Sequence, residues 1–175
     1  MSRAEDERDD GEISRLLAGV AKTIAKVRYC WLVTEAESGS ASARPMGRVQ
    51  PETDQNDWTI RYITDGRSRK ASDVRRTGRV ALIFQRDAKD AFVVLSGRAT
   101  LLESASEVRQ LWKDAYNALV PTEADRANAA FVQVDVERLD LWIRGVTPEP
   151  FGLRTTIERD AGGIWRLTPG DRNAA

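Results

Sequence analysis

Apolar residues at Ile13, Leu16, Leu17, Val20, Ile24 and Val27 recur at helical spacing, so an amphipathic helix is expected over 12–26 with one face on a core. Residues 1–11 show no such period and read as a mobile acidic tail, rich in Glu5, Asp6, Glu7, Asp9 and Asp10. The pattern then changes. Residues 29–34 are aromatic and β-branched in a run short enough for a buried strand, and the polar stretch EAESGSAS over 35–42 supplies the next turn. A second strand is expected over 43–49. Its Pro45 has no N–H to give a ladder, which points to an edge, a bulge or a place where a ligand nears the backbone. A polar loop over 51–57 precedes a third strand over 58–64.

Beyond it, a short helix over 68–76 begins at Ser68 and stops at Gly78, and VALIF lies in a buried strand over 80–85. Residues 92–102 form another strand, with Gly97 where a bulge or sharp coiling lets a sheet curl. Ser104 and Glu107 make a capping box for a helix that carries Val108, Leu111, Trp112, Ala115 and Leu119 and ends by Pro121. A helical piece over 122–128, two strands over 131–137 and 139–144, and a terminal hairpin over 155–159 and 164–168 complete the chain. Strands outnumber helices and follow one another through short turns. That order predicts a mainly β fold, an antiparallel barrel with attached helices, in a single domain over 12–175. A Rossmann layout is excluded, because it needs strand–helix alternation and a glycine fingerprint at the first helix.

Composition narrows the chemistry. With 27 basic and 27 acidic residues the net charge is zero, which gives no general attraction to nucleic acid or membrane, and neither is expected as a partner. No apolar run approaches the roughly twenty residues that cross a bilayer, and no signal-peptide order is seen, so a cytoplasmic location is expected. The sequence has no histidine, which removes Ser-His-Asp and Cys-His catalysis and histidine-ligated metal. Its one cysteine, Cys30, lies in an apolar run and reads as a small core residue. No catalytic acid, base or nucleophile and no metal ligand set is assigned.

The informative segment is RYITDGRSRKASDVRRTGRV over 61–80. It reads strand, polar turn, Ser68-Arg69-Lys70, then helix. A helix start offers unpaired backbone N–H groups and the positive end of a dipole, and here a hydroxyl and two cations stand beside it, which is the chemistry of an anion cradle. The competing reading is a solvated basic helix start, since no glycine-rich signature is present.

The strings YCWLVT, SARPM, RYITDGRSRKASDV, VALIF, VVLSGRATLL, LWKDAYNALVP and FVQVDVERLDLW, in this order, resemble the pyridoxamine 5'-phosphate oxidase-like flavoproteins, and among them the general stress protein 26 group. The likeness covers roughly 16–142. It implies a split β-barrel, FMN as cofactor, and a homodimer with the cofactor in clefts between chains. The residues it points to are Arg44, Pro45 and Met46 along one strand, Ile63 and Thr64 at the end of the next, Ser68, Arg69 and Lys70 at the phosphate turn, and Trp112 over the cleft. Their plainer roles are a strand-surface arginine at Arg44, core filling at Met46 and core or dimer packing at Trp112. The sequence departs from authentic pyridoxamine phosphate oxidases in lacking the C-terminal arginine-and-histidine motif, in Val49 where those enzymes place a lysine, and in Phe92 where they place a glutamine. That specific activity is therefore not expected. Three readings stay open: an FMN-dependent oxidoreductase with an unknown small-molecule partner, a non-enzymatic flavin-binding stress protein, and a reductase that uses F420 on the same fold.

Overall fold

The computed structural model describes residues 3–47 and 58–168. Helix α1 (Arg3–Ala25) lays Leu16, Val20, Thr23, Ile24 and, just past its end, Val27 into the core. It begins at Arg3 rather than at the expected residue 12. Alanine, glutamate and arginine are good helix formers, so an apolar period is needed to pack a helix but not to form one.

Strands β1 (Tyr29–Glu35), β2 (Ala41–Gly47) and β3 (Thr59–Asp65) follow, then α2 (Arg69–Thr77), β4 (Arg79–Arg86) and β5 (Ala91–Leu102). Helices α3 (Ala105–Leu111) and α4 (Glu123–Ala127) lead to β6 (Ala129–Ile143), β7 (Thr155–Arg159) and β8 (Trp165–Thr168). The expected second strand reached Val49 and was followed by a loop over 51–57; Val49 and that loop lie outside the described residues. The eight strands form one mostly antiparallel sheet whose path runs β2-β1-β4-β5-β6-β7-β8, with β3 paired to β6 beside it. The path is open, with β2 and β8 at its ends. Together with the four α-helices among the described residues this is the expected mainly β, split-barrel class.

Two expectations are corrected. The strands read over 131–137 and 139–144 are one strand of 15 residues, β6, which pairs Ala129 to Asp135 with β3 and Arg138 to Leu141 with β7. Charged residues along the strand are satisfied: Arg138 donates to both oxygens of Asp140 and to Glu158 on β7. The helix expected to run to Leu119 ends at Leu111, because Trp112 and Lys113 are extended, and a 3-10 turn over Asp114–Ala118 follows. That break brings the Tyr116 ring edge-on to Phe131, 5.2 Å between centroids. The capping box at Ser104 and Glu107 is present as expected.

The chain divides into two compact units. One comprises Met1–Cys30, Leu82–Ser96 and Glu137–Ala175, and the other Trp31–Ala81 and Gly97–Val136. In the first, α1 packs closely enough that a Cβ on Gly19 would lie 2.7 Å from a methyl of Val146. Its hairpin pairs Thr156 with Thr168 through to Arg159 with Trp165. The second unit holds β2, β3 and α2, and with them the cationic turn. Its core includes Leu32, Tyr62, Ala71, Val74, Phe131 and Val134.

Candidate functional site

Helix α2 starts where the sequence indicates. Ser68 is its N-cap, accepting from the Ala71 N–H at 3.4 Å, and its carbonyl accepts from Ser72 at 3.1 Å. The N–H groups of Arg69 and Lys70 therefore have no acceptor within the helix. The first turn holds no acidic residue, so no carboxylate of that turn opposes an anion there. At the other end Gly78 sits at φ 61° and donates to Val74, closing the helix in a conformation that glycine adopts without strain.

The turn before α2 is held from several sides. The Gly66 N–H donates to the Asn128 carbonyl at 2.7 Å, Ser68 donates to the Asp65 carbonyl at 3.0 Å, and Arg75 reaches back to the Gly66 carbonyl at 2.7 Å. Asp65 accepts from the Arg67 backbone and grips its guanidinium through both oxygens, which holds the Asp65 carboxyl down at about 2. Thr64, buried at the end of β3, brings its hydroxyl to 3.4 Å from that of Ser68. A preset turn of this kind keeps backbone donors fixed before a ligand arrives.

Arg44 enters from β2, where Ser42, Arg44 and Met46 alternate with the exposed Ala43 and Pro45. Its guanidinium donates to the Thr34 hydroxyl at 2.8 Å, the Ser42 hydroxyl at 2.6 Å and the Asp73 carboxylate at 3.3 Å. Thr34 in turn donates to the same Asp73 oxygen at 2.7 Å. Arg44 is thus more than a strand-surface arginine: it belongs to a mostly buried network that ties β1 and β2 to α2.

Lys70 is half-buried, and its pKa is lowered, first by burial and then by the charge of Arg44. Two cations close enough to disfavour each other form a site that a bound anion relieves. Three other arginines in this segment are already paired. Arg67 is held by Asp65, Arg75 by Glu103, and Arg76 lies beside Glu35 and the far oxygen of Asp73. The segment is therefore less of a free basic patch than its composition indicates.

The structure brings Thr64, Ser68 and Lys70 to the start of α2, with Arg69 exposed at the first helical position and Arg44 near enough for its charge to act on Lys70. The remaining sequence candidates stand apart. Pro45 points to the opposite face of β2 from Arg44 and is exposed; Met46 is 6% exposed and fills the core. Ile63 pairs with Phe131 across β3 and β6. Trp112 meets Tyr116 edge-on at 6.0 Å, so it belongs to an aromatic run with Tyr116 and Phe131. Sequence reasoning missed Thr34, Ser42 and Asp73. Asp73 carried the one usable signal, an acidic residue on the apolar side of a short basic helix.

The arrangement suits a phosphate monoester: two backbone N–H groups, two hydroxyls and two cations around one helix start. The family model for pyridoxamine 5'-phosphate oxidase-like proteins matches residues 17–148. No curated protein matches the sequence. Solved structures share the fold. A protein from Clostridium acetobutylicum related to general stress protein 26 superposes with TM-score 0.66 at 16% identity, over 82% of this chain and 94% of that one. A pyridoxamine 5'-phosphate oxidase-related, FMN-binding protein from Nostoc punctiforme gives 0.63 at 18% identity, over 90% and 94%. An F420 reductase gives 0.52 at 14%, over 67% and 93%.

Proposed function

Because the chain belongs to the pyridoxamine 5'-phosphate oxidase-like family, we propose that it is an FMN-binding flavoprotein of the general stress protein 26 kind whose cradle holds the cofactor's phosphate. The observation that carries this reading is the half-buried Lys70, close enough to Arg44 to feel its charge, on a helix start without an acidic residue in its first turn. FMN, when bound, supplies redox chemistry through its ring system. The chain's own residues bind and orient. Lys70 and Arg44 neutralise the phosphate, the Arg69 and Lys70 N–H groups and the Ser68 and Thr64 hydroxyls donate to its oxygens, and Arg69 adds a solvated charge at the rim.

The activity we assign is that of a flavin-dependent oxidoreductase with a small-molecule partner, with no side chain acting as acid or base. A homodimer closes the cofactor cleft; in support, Trp31 on β1 is 49% exposed, a large apolar group next to the edge strand β2. The test is a visible absorbance spectrum, with light scattering, of protein isolated without added cofactor. The expected result is an FMN spectrum on a dimer. A deazaflavin spectrum reassigns the site to F420, flavin without turnover of reduced nicotinamide leaves a non-enzymatic binder, and a folded protein that ignores added FMN refutes the proposal.

A further inference from the structure

We infer that Asp73 is a positioning residue for the cradle, its carboxylate and the Thr34 hydroxyl together fixing the direction in which Arg44 presents its unused N–H groups to a phosphate. The inference rests on the reading of the cradle as the phosphate site. Asp73 is 4% exposed on α2, where a carboxylate is costly unless it is paired and hydrogen-bonded. It is both. One oxygen accepts from Thr34 at 2.7 Å and Arg44 at 3.3 Å, and the other lies 4.0 Å from Arg76. A guanidinium has five N–H donors in a rigid fork. Those of Arg44 toward Thr34, Ser42 and Asp73 account for one on Nη1 and two on Nη2, which among the described contacts leaves the Nε–H and one Nη1–H.

Charge and orientation make opposite predictions. As a mere counter-charge, Asp73 cancels part of the Arg44 field, and removing it would strengthen anion binding. As a positioning group it holds the fork in place, and removing it lets Arg44 swing away and weakens binding. The separation in sequence supports the second role, since Asp73 lies on the same helix whose first turn supplies the other donors. One rigid element then fixes both halves of the cradle.

The experiment compares FMN with riboflavin, which lacks the phosphate, in titrations of wild type, Asp73→Asn, Arg44→Met and the double variant. The expected result for Asp73→Asn is FMN affinity lower by about tenfold with riboflavin unchanged, and no further loss when Arg44 is already replaced. Thr34→Val removes the hydroxyl bridge and keeps the charge pair; a loss of about threefold, again for FMN alone, is expected. It carries the test if Asp73→Asn does not fold. Tighter or unchanged FMN binding, equal loss for riboflavin, or a loss that persists in the Arg44→Met background overturns the inference. Wild-type protein that ignores FMN defeats the underlying phosphate reading and this inference with it. Wild-type binding without a selective response defeats the inference alone.

Discussion

Lys70 shows how far a single side chain constrains the reading. Burial, and after it the charge of Arg44, lowers its pKa from the ordinary 10.5. Between the lowered value and 10.5 the unfolded chain binds more protons than the folded one, so the stability of the ligand-free protein rises with pH across that alkaline window. Below it, protonated Lys70 is a standing cost to the fold. A bound phosphate reverses this by favouring the ammonium form. FMN affinity is therefore expected to fall as pH climbs toward 10.5, and the fall is expected to flatten in Lys70→Met, both read by titration at a series of pH values. A wild-type affinity that does not change over this range contradicts the placement of Lys70 against the phosphate.

At the scale of elements, what was legible depended on whether the signal was local. The limits of α2 follow from Ser68 and Gly78, each acting within a few residues, and the α3 capping box from Ser104 and Glu107. The end of α3 was not legible, because the ring contact of Tyr116 with Phe131 joins residues distant in sequence. The continuity of β6 was hidden for the same reason, since the partners of Arg138 include Glu158 on a later strand. Gly97 was expected to mark a bulge or coil. In the structure a Cβ there would lie 2.1 Å from the Asp135 carbonyl oxygen, so the glycine is required by close backbone approach between β5 and β6. Gly97→Ala must push two strands apart, and a destabilisation on the order of 3 kcal/mol is expected by thermal or denaturant unfolding. A change under about 0.5 kcal/mol shows that the strands separate without strain.

For the whole molecule, the sheet and the cationic turn could be read from the chain, and the buried support of the turn could not. Thr64, Ser68 and Lys70 lie close together in sequence, where spacing alone brings them to one helix start. Arg44 came from resemblance, and Thr34 and Asp73, 39 residues apart, from neither. Such pairs leave no periodic trace, yet they determine whether a cluster of cations is solvated or preorganised. The central claim is that the cradle grips a phosphate on a flavin. Its most direct test is the ratio of FMN to riboflavin affinity, measured by quenching of flavin fluorescence on wild type and on Lys70→Ala combined with Arg69→Ala. Wild type is expected to prefer FMN by on the order of a hundredfold, and the double variant to lose most of that preference while its riboflavin affinity holds. Equal affinity of the wild-type protein for the two flavins contradicts the claim.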